Sequence, residues 1–208
     1  MVQNEDISGK NILNIGCGFG WCELNFLGRG AKQMTGTEIS EEDLKTAREN
    51  VLDERVSFVV GSAIQLPFTS DSFDTVVSWE VIEHIPKKTE NKMFAEVYRV
   101  LKPGGIFYLS TPHFSFFSNI LDPAWWLVGH RHYSKQGLLS YARKNNFRMT
   151  EVRVKGKWWM LFSLVNMYVS KWIFRRRPFF GAFFARKERE EYLSNDGFGN
   201  IFVKFQKN

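Results

Sequence analysis

The sequence predicts an α/β fold, a parallel sheet with helices on both faces, and three observations predict it. A short apolar run without helical period, Asn11 to Ile15, stops where a cluster of glycines begins, and a helix-forming stretch opens directly after them. Strand and helix patterns then alternate to about residue 110, an order that requires parallel strands joined by crossover helices. The 208 residues are enough for one well-buried core and short for two, so one domain carrying insertions is expected.

In the first unit, Gly16, Gly18 and Gly20 alternate with Cys17 and Phe19. That spacing lets the backbone turn sharply and approach a ligand with no Cβ in the way. Strand, turn and the predicted helix from Trp21 to about Gly28 together offer free N–H groups to an anion or to the polar end of a cofactor. Such turns are also common as purely structural devices, and the stretch alone leaves ligand binding open. The second strand, Gln33 to Ile39, carries Glu38 near its end, 18 residues beyond Gly20, where an acid can accept from both hydroxyls of a ribose or simply sit in solvent. Ser40 is placed to cap a helix, Glu41 to Leu52, whose first turn holds Glu41, Glu42 and Asp43 beside the positive end of the dipole. Strand Val56 to Val60 follows.

Gly61 to Pro86 then combines a Leu66-Pro67-Phe68 wedge, a buried strand at Thr75 to Ser78, and Trp79 to Ile85 after its carboxyl end, where ligands of open α/β sheets sit. A helix from Lys88 to Leu101 is expected to stop at Lys102-Pro103-Gly104-Gly105, before a strand at Ile106 to Ser110.

These stretches together, NILNIGCGFG, TEIS, LPFTSDSFDTVVSWEVIEHI and VLKPGGIFYLSTP, resemble the class I S-adenosylmethionine-dependent methyltransferase family, four motifs in the family's order from Asn11 to Pro112. The resemblance implies a Rossmann-like seven-stranded, mostly parallel sheet whose last strand is antiparallel, and S-adenosyl-L-methionine as cofactor. It implies that Gly16, Cys17, Gly18 and Gly20 line the methionine end, that Glu38 holds the ribose, and that Ile39 packs on the adenine. Ser62, Ala63, Ser78 and Trp79 close the other side. Two departures stand out. Ser62 occupies a position where many members place an acid toward the adenine amino group, and only ten residues precede the first motif.

From His113 the chain leaves the minimal pattern. Residues 113–134 form an aromatic-rich cap loop holding His113, His130 and His132, and Ser134 is placed to cap a helix from Lys135 to Asn145. In the family this loop sits above the transferred methyl group, and an Asp-Pro followed by His-Arg-His-Tyr is loosely similar to members acting on sugars and lipid-linked substrates. A hydroxyl acceptor needs a proton removed, and the candidate bases are His132, His130 and His113 in the cap and His84 after the fourth strand, with His132 preferred.

Strands at Phe147 to Val154 and Asn200 to Phe205 are separated by an insertion, residues 155–199. Trp158 to Phe174 holds only Ser163, Asn166, Ser170 and Lys171 as polar residues, a narrow polar stripe on an otherwise apolar helix. At ~1.5 Å per residue that helix is about 25 Å long, short of a membrane span. Arg175 to Arg177 follow, then Pro178 as an expected helix start, with Phe179, Phe180, Phe183 and Phe184 on one face. Charge concentrates here: Arg153 to Arg189 holds ten basic residues and one acid, a net +9, while the rest of the chain is −3. Aromatic faces bordered by Arg and Lys suit an anionic membrane surface, and the bland alternative is a greasy lid on the core. No nucleic-acid partner is expected, because these aromatics are contiguous enough to collapse together.

Cys17 and Cys22 have the spacing of neither a disulfide framework nor a zinc site, so reduced thiols and no metal are expected. The N-terminus lacks a signal-peptide pattern, and the expected location is cytoplasmic and peripheral at the membrane. The best reading is a methyltransferase for a small-molecule, glycan or lipid-linked acceptor. The rivals are a membrane-docked cofactor-binding protein without catalysis and a nicotinamide-dependent oxidoreductase. The oligomeric state is left open.

Overall fold

The apolar run Asn11–Ile15 forms β1 at the middle of the sheet. In the computed structural model, which describes residues 2–194 and 196–208 and only the backbone at 121, 124, 127 and 128, the order continues as α1 (Trp21–Gly28), β2 (Gln33–Glu38), α2 (Glu41–Asn50), β3 (Val56–Val60), β4 (Phe73–Trp79), α3 (Glu90–Val100) and β5 (Leu101–Pro112). The cap region contains two short helices, α4 (Phe116–Leu121) and α5 (Pro123–Val128), ahead of α6 (Lys135–Lys144). The chain ends with β6 (Phe147–Lys155), α7 (Trp158–Tyr168), α8 (Gly181–Leu193) and β7 (Asn200–Lys207). The seven strands bond in the order β3-β2-β1-β4-β5-β7-β6, mostly parallel with β7 antiparallel, as the resemblance implies. Neighbours of β1 lie on opposite sides in chain order, which makes the β1/β4 edge the switch point at which open sheets bind ligands.

Register then decides which loops meet. Ile15 pairs with Thr37 on one side and Ser78 on the other, and Glu38 pairs with Val60. The carboxyl ends of four strands are thereby level, and the residues after each of them emerge at one edge of the sheet.

Two compact units divide the chain: residues 1–109, 139–151 and 203–208 in one, residues 110–138 and 152–202 in the other. In the first, one face of the sheet buries Ile12, Met34 and Val77 against Phe26, Leu27 and the N-terminal Val2 and Ile7. The start of the chain is pinned by Asp6, whose carboxylate meets Lys204 at 2.7 Å and accepts from the Tyr108 hydroxyl, while its carbonyl accepts from Thr75. On α3, Phe94 packs edge-on against Phe107 and Phe205 at centroid distances of 5.7 and 5.5 Å, with Phe147 beside them. The Ser40 cap forms as expected, its Oγ accepting from the Asp43 N–H at 3.2 Å.

In the second unit, α7 and α8 pack as a hairpin that Glu191 closes. Its two carboxylate oxygens accept from the backbone N–H groups of Lys157, Trp159 and Met160, satisfying the free donors at the start of α7 with a charge that suits the dipole. The polar stripe of the insertion is spent internally. Asn166 Nδ2 donates to the Phe179 carbonyl, Ser170 Oγ donates to Asn166 Oδ1, and the Phe179 N–H donates to Ser170 Oγ. Ser134 caps α6 through the Gly137 N–H at 3.1 Å.

Three elements differ from expectation. The helix before Lys102–Gly105 stops at Val100, but β5 begins at Leu101 rather than at Ile106 and takes that stretch in: Gly104 has a φ of +73°, and the Lys207 and Gln206 side chains of β7 donate to the Leu101 and Gly104 carbonyls. The long insertion helix is shorter as an α-helix and passes at Val169 into a π-helical turn ending at Ile173. α8 begins at Gly181 rather than Pro178, because the bonds from Asn166 and Ser170 hold Phe179 in the return turn.

Beneath the glycine turn lies a buried polar pair absent from the sequence reading. Asn14 on β1 donates to Glu23 Oε1 at 2.8 Å; Glu23 is 0% exposed and its Oε2 has no partner among the described residues. Burial, and to a smaller degree the nearby Glu38 and despite the Asn14 bond, holds the Glu23 carboxyl above the usual range. The folded chain therefore keeps this proton to higher pH than the unfolded chain, and stability falls as pH rises from the unfolded value, ~4.3, toward the raised one. Glu23→Gln removes that cost. Its melting temperature should match the parent near pH 4 and exceed it increasingly toward neutrality, and a difference constant with pH would contradict the buried-acid account.

Candidate active site

The turn from β1 into α1 is built around missing side chains. Gly16, Gly18 and Gly20 have φ of +74°, +53° and +83°, a region L side chains rarely enter. A Cβ on Gly16 would lie 2.4 Å from Val81 Cγ2, in the segment after β4, and one on Gly20 would lie 2.6 Å from Val51 Cγ2. At Gly18 a Cβ would meet nothing within 4 Å, so the middle of the turn faces open space. Glu38, at the end of β2, reaches across and accepts from the Gly18 N–H at 2.7 Å. Its carboxylate thus stands beside the glycine turn with hydrogen-bonding capacity left over.

Around this edge the other expected residues divide. Ile39 follows Glu38 and is 71% exposed, a large apolar face with no covering. Ala63 is buried and Ser62 is half-buried, bridging to Gln65 in a tight antiparallel step. Ser78, at the end of β4, is fully buried with no partner for its Oγ among the described residues. Trp79 instead packs on the core beside Cys22, to whose sulfur it hydrogen-bonds. Cys17 is buried against Leu44 and Ala47. Burial drives both thiols upward, Cys22 to about 12 and Cys17 beyond it, with Glu23 adding to each, so neither is a thiolate at neutral pH.

S-adenosylmethionine, the cofactor of the resembled family, fits what this edge supplies. The uncovered turn at Gly18 leaves space beside its N–H, Glu38 is an acceptor next to the turn, Ile39 offers an apolar face, and the Ser78 hydroxyl has no partner among the described residues.

The candidate bases belong to different environments. His84, in the first unit, is exposed. In the second unit, His113 is half-buried, hydrogen-bonded to the Phe198 backbone, and its Nδ1 has no partner among the described residues. Burial holds its pKa below the ordinary value, so it is neutral at pH 7. His132 is buried with both ring nitrogens engaged, Nδ1 at 2.8 Å from Asn119 Oδ1 and Nε2 at 2.8 Å from Asp122 Oδ2, and the Trp125 ring lies 4.8 Å away. Asn119 and Asp122 were not among the residues singled out by sequence. Asp122 was in view as half of the Asp-Pro pair, whereas nothing marked Asn119.

A family model described as a methyltransferase domain matches residues 12–105. Over 109 residues the chain is 38% identical to norajmaline N-methyltransferase of Rauvolfia serpentina, covering 50% of this chain and 37% of that protein. Over 103 residues it is 36% identical to 24-methylenesterol C-methyltransferase 2 of Arabidopsis thaliana, covering 48% of this chain and 28% of that one. The chain thus spans well under half the length of these curated relatives. Among solved structures, an S-adenosylmethionine-dependent methyltransferase of Mesorhizobium loti superposes with a TM-score of 0.67 at 20% identity, over 97% of this chain and 93% of that one. Phosphoethanolamine N-methyltransferase 2 of Haemonchus contortus, solved with phosphomonomethylethanolamine and S-adenosylhomocysteine, superposes at 0.68 and 21% identity, over 99% of this chain and 52% of that one. At these identities the structures speak to fold alone, and fold, motif order and the stretch matched at residues 12–105 support a class I S-adenosylmethionine-dependent methyltransferase.

Proposed function

We propose that the protein transfers a methyl group from S-adenosylmethionine to a small apolar or lipid-linked acceptor while docked on an anionic membrane surface. The observation that carries the catalytic half is the levelled edge of four strands, with the open glycine turn and Glu38 at its centre. Bound there, the cofactor supplies an already activated sulfonium methyl group. Glu38 would hold the ribose hydroxyls in place of the Gly18 N–H, that N–H would then be open to the polar end, and Ile39 would offer one apolar face. The protein's remaining work is to align the acceptor and exclude water. Where the acceptor is a hydroxyl, His113 is the group suited to accept its proton, because it is neutral and its Nδ1 has no partner among the described residues. His132, preferred from sequence, has both nitrogens occupied and suits a positioning role. A sterol methyltransferase among the relatives is consistent with an apolar acceptor.

The membrane half rests on the second unit. Phe180 is 80% exposed, Trp126 is 68% exposed, and Phe116, Trp158, Phe162, Trp172, Ile173 and Phe174 are exposed with them. Phe117 packs on Trp158 and Phe198 at 5.3 Å, which makes the apolar surfaces of cap and insertion continuous. Arg175, Arg176 and Arg177 are exposed at the end of the π-helical turn, with Arg176 over the Phe179 ring at 4.3 Å. No helix among the described residues is long and apolar enough to cross a membrane, so docking in the interface is the mode that this surface supports.

Three measurements test the reading. Calorimetry should find binding of S-adenosylmethionine and its demethylated product, weakened tenfold or more by Glu38→Ala, since hydrogen bonds to a charged group are worth ~1.5–3 kcal/mol; preference for a nicotinamide dinucleotide would overturn the assignment. In a methyl-labelling survey of membrane extracts, turnover of His113→Ala should fall by ~10²–10⁴ with cofactor affinity intact. Unchanged turnover assigns the base elsewhere, and no labelled product from the parent protein favours the non-catalytic docked reading. With anionic vesicles, changing Arg175, Arg176 and Arg177 to Ser should reduce binding roughly 100-fold at low salt, at ~1 kcal/mol per basic residue. Equal recovery in the supernatant with neutral and anionic vesicles, before and after that change, leaves only the lid.

A further inference from the structure

We propose that Asp122, His130 and His132 form a three-ligand site for a divalent transition metal ion, with Zn2+ the ion that the ligand set suits best. All three lie within the second unit, and one donor atom from each sits within 4.8 Å of the others. The sequence expectation of no metal rested on the two cysteines, which lie elsewhere in the chain.

One imidazole lies between an amide and a carboxylate. His132 Nδ1 lies 2.8 Å from Asn119 Oδ1 and Nε2 lies 2.8 Å from Asp122 Oδ2. A neutral imidazole carries a single N–H. Placed on Nε2, that proton meets the Asp122 carboxylate, and Nδ1 then takes an N–H of the Asn119 amide; a metal ion would replace the proton between Nε2 and Asp122 and leave Nδ1–H facing the Asn119 oxygen. His130 brings a third donor atom to the same point. His130 and His132 are two residues apart in a segment outside any helix, the spacing that puts alternate side chains on one side of an extended chain.

What surrounds the ligands fits as well. Metal-binding histidines characteristically donate their other N–H to an oxygen acceptor that fixes tautomer and ring orientation, which is the place Asn119 occupies. The Trp125 ring, 4.8 Å from that of His132, shields one side. Two imidazoles and one carboxylate with an open position match the donor set of catalytic zinc sites. Tetrahedral coordination at ~2.0–2.1 Å places ligand atoms roughly 3.4 Å apart, so the close His132–Asp122 pair opens slightly and His130 draws in. The ion would clamp the end of α4 to the segment that precedes α6.

The test uses the whole chain, stripped with chelator, without cofactor or acceptor. Titrated with Zn2+ against a chromophoric chelator, it should bind one ion per chain, and Co2+ should give the visible bands of a four- or five-coordinate site without thiolate charge transfer. His130→Gln should weaken binding by at least ~100-fold and Asn119→Ala by ~10–100-fold, both with unchanged circular dichroism. His130 is only half-buried, so its variant remains informative should Asp122→Asn fail to fold. Absence of binding below millimolar Zn2+, affinity unaffected by His130→Gln, or a Co2+–thiolate band would each overturn the site. A chain that binds S-adenosylhomocysteine and no Zn2+ overturns the metal site alone and leaves the methyltransferase reading intact.

Discussion

Everything at the sheet's carboxyl edge depends on how closely the turn after β1 approaches the segment after β4. Val81 Cγ2 occupies the place a Cβ of Gly16 would take, and Gly36 on β2 is equally crowded, with Phe58 and Cys17 at 2.8–2.9 Å from its would-be Cβ. These contacts stack the turn on the sheet. Any side chain at Gly16 would lift it, and Glu38 would lose its reach to the Gly18 N–H. The glycines therefore answer two separate demands, positive φ along the turn and close approach below it. The one whose Cβ would meet nothing, Gly18, marks where a ligand can lie.

Much of this was legible in residues 11–110 because each signal there is local. A strand's apolar run, a Ser cap with acids behind it, and glycines at a turn need only their neighbours, and a family resemblance read in four motifs added strand order and the antiparallel β7. What was not legible depends on long-range partners. The Lys-Pro-Gly-Gly stretch reads as a stop, yet β7 draws it into β5 from a hundred residues away. The Asn14–Glu23 pair looked like an ordinary polar residue in a strand and an acid in a helix. Asn119 became visible only through His132, and the preference for His132 over the other histidines could not anticipate that both its nitrogens would be taken.

The second unit follows a different economy of polar groups. Along α7 and its π-helical turn Asn166 and Ser170 bond to each other, with Ser170 fully buried, while Trp158, Phe162 and Trp172 are left outward. In a water-facing helix the reverse pattern is the norm. Glu188 shows the same preference, its carboxyl raised by burial and hydrogen-bonded to Ser163. A surface arranged in this way keeps the hairpin's own bonds satisfied while presenting apolar area, the combination needed by an element that meets something less polar than water.

The Glu191 bonds to the start of α7 also set an order of events during synthesis. The carboxylate that satisfies the Lys157 N–H is 34 residues downstream of it. While the intervening segment is being made, the first N–H groups of α7 have no carboxylate to cap them. Helix nucleation is unfavourable for so short a segment on its own. The hairpin can therefore close only after α8 has been made, and until then an apolar, strongly cationic stretch lacks the bonds that order it.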